Sequence, residues 1–500
     1  MKLHGNKYVE VPKWVRVSNN RQMAGNSECV VVSATLLATC LKIFLFFTFQ
    51  VAVSLASYSG QNQPPMFGDY EAQRHWMEIT TNLPVGEWYK NSSENNLMYW
   101  GLDYPPLTAY HHHLLGIISR KIKPEWVTLN TSRGYESPDH KLFMRISAIA
   151  VFYIFYLPAV FLTTRKNTGA LQHVAIMYPS LLIIDNGHFQ YNSISLGLFI
   201  SCYVSLINYQ MVLGSVFFVC ALNYKQMELY HSLPVFVFIL SRSIVHPIVP
   251  NIHRSFGKLL KIALTVIATF MLIWWPFFYS NAVKDVLIRV FPFNRGLYED
   301  KVASFWCAFS FILKRLPIQK WQIAISTGMV LASSFPSLMV LFRKPSNILF
   351  RLSLVTTSLS FFLFSFHVHE KTILLVAGSS ILLFQDFPTD ALYLLNMTNI
   401  SIFSLCIKDQ FALALVPFIA YSVVTLWYCK QHTNRPIAPM MFSIVVGILL
   451  CILELCGPEN QRFPHIYQFL NAFFTCLHFI YFWALFSKKC WDLASVRKSI

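Results

Sequence analysis

Charged side chains are scarce in this sequence of 500 residues, at 13% against about 25% in an ordinary soluble protein. Hydrophobic residues make up 55% of it. So little polar material cannot cover a water-soluble body, which excludes a soluble multidomain enzyme, a disordered scaffold and a secreted disulfide protein. The composition predicts a polytopic helical membrane protein.

The sequence also lacks the short signatures of several enzyme classes. It contains no Walker A sequence, no Gly-x-Gly-x-x-Gly and no Gly-x-Ser-x-Gly elbow, which mark nucleotide-binding folds and serine hydrolases. Its 11 cysteines form no Cys-x-x-Cys pair, so they predict small core residues and not zinc ligands. The chain has no room for a soluble nucleotide-binding domain, so an activated substrate would have to arrive on a lipid.

Basic residues outnumber acidic ones, 40 to 23, and the formal net charge is +17. They collect in the tails and in short loops between apolar runs, which is the pattern that fixes membrane orientation. No basic stretch forms a face for nucleic acid. The pattern predicts a cytosolic tail (1–29), a membrane domain (30–487) with about 14 spans, and a second cytosolic tail (488–500).

Two large external loops are predicted, at residues 56–141 and 280–320. The first contains Leu107–Ile122, a moderately apolar stretch that is charged and short for a span. We expect it to form an interfacial helix, because a span there would place Arg165 and Lys166 on the external side of the membrane. Without that span they face the cytosol, where basic residues are expected. Polar and aromatic residues mix on this external side, so we expect the active face there.

The first external cluster runs from Gly68 to Trp76. Helical spacings of four and three place Asp69, Gln73 and Trp76 on one face. A carboxylate at this position could act as a general base toward a sugar hydroxyl. An acidic residue after a glycine at a helix start is also a common N-cap, and the residues alone leave both roles open.

Two further clusters combine aromatic and polar side chains. Trp100 and Tyr104 precede the tandem prolines Pro105-Pro106 and offer stacking faces for sugar rings, or else belong to an interfacial aromatic belt. His188 lies in the polar run Asp185–Asn192 between two apolar segments. That run either binds substrate or supplies hydrogen bonds between helices.

Two more clusters carry cations suited to a phosphate group. Lys225 could meet a lipid phosphate, or it could pair with Glu228 three residues later. Arg295 could hold a phosphate with its two-pronged guanidinium, or it could belong to a solvated run of charges.

An external tip, His367 to Lys371, concentrates histidine and charge. Its His-x-His-Glu order could suggest zinc, but it lacks the i,i+4 spacing of a zinc helix and no third ligand is evident. Hydrogen bonding to a phosphate or sugar by His369 and Lys371, with Glu370 between them, fits this tip better.

In chain order, seven motifs resemble the dolichyl-phosphate-glucose-dependent α-1,3-glucosyltransferases of the endoplasmic reticulum. They extend from about residue 66 to residue 376, and the remaining segments agree only in hydropathy. The motifs are GDYEAQRHW, WGLDYPPLTAY, NTSRGYES, DNGHFQYNS, NYKQMELYH, FPFNRGLYEDKVA and HVHEK.

The resemblance implies an all-α polytopic membrane protein with a C-type glycosyltransferase fold and a lumenal site. It implies an inverting transfer from dolichyl phosphate glucose that needs one carboxylate base and neither metal nor cofactor. Carried over to this chain, the base is Asp69, and His369 lies near the donor phosphate. Asp103 matches the acid of the family's Asp-Tyr-Pro-Pro motif.

Within the family, the first motif is closer to the enzyme that adds the first glucose. Tyr70 and His75 stand where the enzyme of the second step has Phe and Asn. This likeness implies the acceptor Man9GlcNAc2-diphosphodolichol, and no obligate protein partner is inferred. The second glucosyltransferase and a polytopic lipid or solute transporter remain as alternatives, although a transporter usually shows internal repeats and none is visible.

Signals of location agree with this orientation. Asn91 and Asn130 begin glycosylation sequons on the predicted lumenal side. Asn396 and Asn399 also begin sequons, but they lie in an apolar run and we expect them to be unused. The C-terminal residues Arg497–Ile500 resemble a cytosolic dibasic retrieval signal.

Overall fold

A computed structural model describes most of the chain, in the ranges 40–41, 43–163, 169–244, 252–291, 302–314, 321–366, 368–433, 435–458 and 461–495. Three sequence predictions lie outside the described residues. They are the role of Arg295, the N-terminal tail 1–29 and the retrieval motif Arg497–Ile500.

All regular elements in these ranges are helices, as the composition predicts. In the first half of the chain they are α1 (Ile43–Leu55), α2 (Gly68–Asn82), α3 (Pro106–Ile122), α4 (Pro138–Thr163), α5 (Gly169–Ile176), α6 (Pro179–Leu182), which continues as a π-helix (Ile183–Phe189), α7 (Asn192–Ile207), α8 (Met211–Tyr224), α9 (Leu229–Ile244) and α10 (Ile252–Tyr279).

The second half adds several short helices and a further set of long apolar ones. They are α11 (Val283–Val290), α12 (Phe305–Ala308), α13 (Ser310–Leu313), α14 (Gln322–Arg343), α15 (Asn347–Phe364), α16 (Ile373–Leu383), α17 (Pro388–Ser401), α18 (Phe403–Lys408), α19 (Leu415–His432), α20 (Ala438–Cys456) and α21 (Ile466–Ser495).

Among the described residues, eight helical stretches are long and apolar enough to cross a membrane, so the chain has the character of a polytopic membrane protein. Other predicted spans fall on the shorter apolar helices α1, α7 and α8. The apolar run over 171–185, which the sequence also predicts as a span, is interrupted between α5 and α6. The break lies at Tyr178, where the following Pro179 disfavours helical backbone.

The predicted helix over Leu107–Ile122 is present as α3. It begins at Pro106, and a proline at the first helical position costs no hydrogen bond. The preceding Pro105 has extended backbone, so the tandem prolines separate the Trp100–Tyr104 loop from the helix.

The start of α2 is set by a close crossing of two glycines. A Cβ on Gly68 would lie 2.5 Å from the carbonyl carbon of Ser59, and one on Gly60 would lie 2.0 Å from that of Phe67. Both glycines also have positive φ, 66° and 78°, which favours glycine. The crossing holds the amide of Asp69 3.3 Å from the Ser59 hydroxyl.

Aromatic packing fixes the rotation of α2 about its axis. Tyr70 stacks on Tyr58 with ring centroids 4.0 Å apart, and Trp76 meets Tyr104 edge-on at 5.1 Å. Both α2 side chains are buried. Since contacts on two sides hold the helix, the direction in which Asp69 points is determined by packing.

Candidate active site

A cavity of about 440 Å³ lies beside α2. Its wall combines segments that are far apart in the sequence, including the loop before α3, the start of α7 and the segment before α16. Seven of the ten predicted site residues line it: Asp69, Trp100, Asp103, Tyr104, Lys225, His369 and Lys371.

The other three predicted residues have different positions. His188 stands behind the cavity wall, with its Nε2 3.1 Å from the Asp69 carboxylate. Glu370 lies between two lining residues but is not part of the lining. Arg295 lies outside the described residues.

The helix face predicted from the spacing is confirmed, because Asp69, Gln73 and Trp76 all line the cavity. The capping alternative for Asp69 is not supported. The N-terminus of α2 has no side-chain cap, and the Asp69 carboxylate bonds to side chains from other segments. The residue therefore contributes charge to the cavity and no cap to its own helix.

Three donors converge on one oxygen of Asp69. Its Oδ2 accepts hydrogen bonds from Lys371 Nζ, from Gln190 Nε2 at 2.5 Å and from His188 Nε2 at 3.1 Å. Burial alone would raise the pKa of Asp69, but the charges of Lys371 and His188 outweigh it and hold the pKa well below its usual range. Asp69 is thus an ionised carboxylate with 21% of its side chain exposed.

His188 connects Asp69 to a second carboxylate. Its Nδ1 lies 2.5 Å from Oδ2 of Asp409, directly after α18. Burial would lower the pKa of His188, but Asp409 and then Asp69 outweigh it and raise the pKa. The motif around His188 was predicted from the sequence, whereas its partner Asp409 was not.

Lys225 places a second cation in the cavity wall. Its Nζ donates to Gln190 Oε1 at 3.0 Å and to Asn192 Oδ1 at 2.6 Å, and it lies 5.0 Å from the centre of the Tyr104 ring. Burial lowers its pKa to about 8, against the opposing effect of Asp185. Gln190 bonds to both Lys225 and Asp69, so the two charges share one hydrogen-bond network.

Asp185 organises this network from beneath. Its carboxylate accepts four hydrogen bonds at the start of α7, from the backbone amides and side chains of Asn192 and Ser193, at 2.6–3.0 Å. This is the position where a helix binds an anion. Asn192 is thereby oriented so that its Oδ1 can hold Lys225.

Gln190 and Arg289 line the cavity but were not predicted as site residues. Gln190 lies in a motif that was recognised, but an amide carries no charge to single it out. Arg289 lies near the end of α11, where it donates to the carbonyl oxygens of Gly101 at 2.7 Å and Leu102 at 3.2 Å. The segment predicted as the second external loop therefore does supply an arginine to the cavity wall, at a position six residues before the one predicted.

Comparison with known proteins decides the family. The model of the ALG6, ALG8 glycosyltransferase family matches residues 38–486. The chain belongs to this family. The match covers most of the sequence and confirms the family expected from the seven motifs.

Named relatives in the ALG6, ALG8 family cover nearly the whole chain. A probable dolichyl pyrophosphate Man9GlcNAc2 alpha-1,3-glucosyltransferase of Caenorhabditis elegans is 60% identical over 461 residues, covering 92% of this chain and 89% of the relative. A dolichyl pyrophosphate Man9GlcNAc2 alpha-1,3-glucosyltransferase of Mus musculus is 41% identical, and the match covers 89% of this chain and 95% of the relative. A probable enzyme of the same name from Arabidopsis thaliana is 35% identical, and the match covers 91% of this chain and 90% of the relative.

The tip from His367 to Lys371 could suggest a zinc site from its sequence. In the part of the chain that the structure describes, no group of three or more His, Cys, Asp and Glu residues could hold a metal ion. One of the two histidines, His367, lies outside that part. Metal independence stays a prediction from the family resemblance.

The predicted glycosylation sequons differ in their surroundings. Asn91 and Asn130 are both exposed. The hydroxyl of Ser132, in the second sequon, is buried and accepts a hydrogen bond from Arg74 at 2.6 Å. Asn396 and Asn399 are buried within α17, in agreement with the expectation that they lie inside an apolar segment.

Proposed function

We propose that this chain transfers glucose from dolichyl phosphate glucose to Man9GlcNAc2-diphosphodolichol, in α-1,3 linkage. The names of the relatives support the acceptor and the linkage. The observation that carries the chemistry is the ionised Asp69 in a cavity that also presents Lys225, His369 and Lys371. One carboxylate with several cations suits the displacement of a phosphate by a hydroxyl.

The reaction is proposed as a single displacement with inversion. A mannose hydroxyl oxygen attacks the anomeric carbon of glucose, and the bond from that carbon to the phosphate oxygen breaks. Dolichyl phosphate leaves with the bonding electrons, while Asp69 takes the hydroxyl proton. A β-linked donor then gives an α-linked product, and no second carboxylate is required.

The cations are proposed to stabilise the leaving phosphate. Lys371 Nζ donates to the Asp69 carboxylate, and this contact weakens the carboxylate as a base because it lowers the pKa of Asp69. A donor phosphate in the cavity would compete for the same ammonium group. Transfer of Lys371 to the phosphate would strengthen Asp69 as a base when substrate is present.

His369 and Lys225 are proposed as further phosphate partners. Both line the cavity, and Lys225 is held in place by two amide oxygens. Trp100 and Tyr104 are proposed to contact the sugar rings, with Asp103 between them as a hydrogen-bond acceptor for a sugar hydroxyl.

The location follows the same proposal. We infer a multi-pass protein of the endoplasmic reticulum membrane with a C-type glycosyltransferase fold, about 14 spans, a lumenal cavity and cytosolic termini. The membrane-spanning helices and the distribution of basic residues support it. Asn91 and Asn130 are the proposed glycan acceptors.

The test compares wild-type chain with Asp69→Asn in glucose transfer from dolichyl phosphate glucose to the Man9GlcNAc2 lipid. The amide has nearly the same shape but is no base, so we expect transfer to fall by roughly two or more decades. Asp139→Asn is the matched control, because Asp139 is an exposed carboxylate outside the cavity.

Three outcomes would contradict parts of the proposal. Unchanged transfer by Asp69→Asn would remove Asp69 as the base. Transfer only to an acceptor that already carries one glucose would identify the second glucosyltransferase of the family. Lipid movement across vesicles without any transfer would favour the transporter.

A further inference from the structure

A second carboxylate, Asp409, stands behind the proposed base and is separated from it by one histidine. We propose that Asp409 is a positioning residue that acts through His188 to fix the charge and the orientation of the imidazole against Asp69. The inference rests on the proposed glucosyl transfer, and it assigns a role to a residue that does not line the cavity.

The geometry places an imidazole between two carboxylates. His188 Nδ1 lies 2.5 Å from Asp409 Oδ2, and His188 Nε2 lies 3.1 Å from Asp69 Oδ2. An imidazole can donate from both nitrogens only when it is protonated. The arrangement therefore favours the imidazolium form, with one N–H directed at each carboxylate.

Burial makes this arrangement strict. Only 4% of the His188 side chain and 7% of the Asp409 side chain are exposed, so water cannot replace either partner. The backbone around Asp409 is also held, since the Ser57 hydroxyl donates to the Asp409 carbonyl oxygen at 2.6 Å. Asp409 is thus a carboxylate in a fixed position directly after α18.

Other ionisable groups face this trio from several segments. They are Lys371 and Lys225 in the cavity wall, Arg145 from α4 and the Cys406 thiol from α18. Asp69 contacts both the imidazole of His188 and Lys371, and Asp409 contacts the imidazole from its other side. Removal of Asp409 leaves His188 with one anionic partner, Asp69, which it shares with Lys371, and it removes a carboxylate whose charge acts on Arg145.

The consequence for Asp69 follows from charge. Without Asp409, His188 loses a proton at lower pH, and a neutral imidazole no longer stabilises the ionised Asp69. The neutral ring can also take the tautomer with a bare Nε2, which repels the Asp69 oxygen. Asp69 would then be protonated at higher pH, and the proposed base would be lost over more of the acid range.

The experiment measures the pH dependence of glucose transfer for wild type, Asp409→Asn and Asp409→Glu. For Asp409→Asn we expect kcat to fall by roughly tenfold or more, as when a carboxylate that orients a catalytic histidine is lost, with KM nearly unchanged. The acid limb of the profile should move to higher pH, and Asp409→Glu should restore part of both.

Asp386→Asn is the matched control. Asp386 is a similarly shielded carboxylate that pairs with Arg351 at 2.6 Å and 2.9 Å, and neither residue lines the cavity. Its loss can reduce stability but should leave the acid limb in place. If Asp409 contributed only to stability, Asp409→Asn would behave in the same way, with lower stability and an unmoved acid limb.

A second readout does not depend on transfer. ¹⁵N-histidine NMR reports the charge of His188, with its signal assigned by His188→Gln, and we expect His188 to become neutral at lower pH in Asp409→Asn than in wild type. If Asp409→Asn transferred glucose at the wild-type rate, with an unshifted acid limb and an unchanged His188 signal, the role of Asp409 would be overturned. Absence of any transfer by folded wild type would instead overturn the proposed function.

Discussion

Helix α2 has two polar faces with opposite designs. On one face, Asp69 is partly exposed to a cavity and is surrounded by lysines and a histidine from other segments. On the other, Arg74 has no exposed side-chain surface and bonds to Glu71 and Glu78 of the same helix. One face keeps a charged group within reach of a substrate, and the other encloses its charges completely.

The Arg74 guanidinium is saturated with hydrogen bonds. The guanidinium donates to both oxygens of Glu71 at 2.6 Å and 2.7 Å, to Glu78 at 2.7 Å and to the Ser132 hydroxyl at 2.6 Å. It also reaches the carbonyl oxygen of Trp126 at 3.2 Å. This network ties the far end of the first external loop to α2.

The difference teaches how to separate structure from chemistry in a polar loop. A buried cluster whose members satisfy one another has nothing left to offer a ligand. The Asp69 cluster borders a cavity. Its lysines bond to a carboxylate and to amide oxygens, and a phosphate could replace these acceptors. Charge alone does not distinguish the two faces, since the nine residues from Gly68 to Trp76 contain both.

The largest effect should come from breaking the enclosed face. Arg74→Met leaves two buried carboxylates without a cation, and we expect a loss of about 3–5 kcal/mol in the free energy of unfolding. Thermal unfolding in detergent measures it. Arg435→Met is the control, because Arg435 is 55% exposed in its pair with Asp390 and such pairs contribute little. Equal stability of the two variants would contradict the enclosed design.

A smaller effect, on transfer and not on folding, should come from Lys371→Met. We expect transfer to fall by about a hundredfold, because the variant loses a cation proposed for the leaving phosphate. Lys371 lowers the pKa of Asp69, so its removal raises that pKa, and the acid limb of the pH profile should move to higher pH.

The control for this variant is Lys90→Met, since Lys90 is 56% exposed in a pair with Glu87. Its transfer rate and pH profile should match wild type. If Lys371→Met kept both the wild-type rate and the wild-type acid limb, the cavity cations would have no part in the reaction.

Local spacing predicted part of this site correctly. The four- and three-residue intervals from Asp69 to Gln73 and Trp76 assign one helix face, and that face lines the cavity. The motif resemblance added Asp103 and the role of His369, the charges of two polar clusters indicated Lys225 and Lys371, and the family itself is confirmed. These features depend on neighbours in the chain or on long matching motifs.

What the sequence could not predict depends on contacts between distant segments. Asp409 meets His188 across 221 positions, and it and its neighbours Lys408 and Gln410 belong to none of the seven motifs. Arg289 reaches the loop before α3 from a separate helix. The capping alternative for Asp69 likewise needed its partner Lys371, 302 positions away, before it could be set aside.

The smallest effect should come from the edge of the enclosed face. Tyr99 donates to Glu71 at 2.8 Å, but Glu71 keeps its bonds to Arg74, so Tyr99→Phe should cost only about 1 kcal/mol of unfolding free energy. Glucose transfer should be unchanged, although the adjacent Trp100 lines the cavity. Tyr279→Phe is the control, since Tyr279 is 86% exposed. A fall in transfer without a fall in stability would show that the two faces of α2 are coupled.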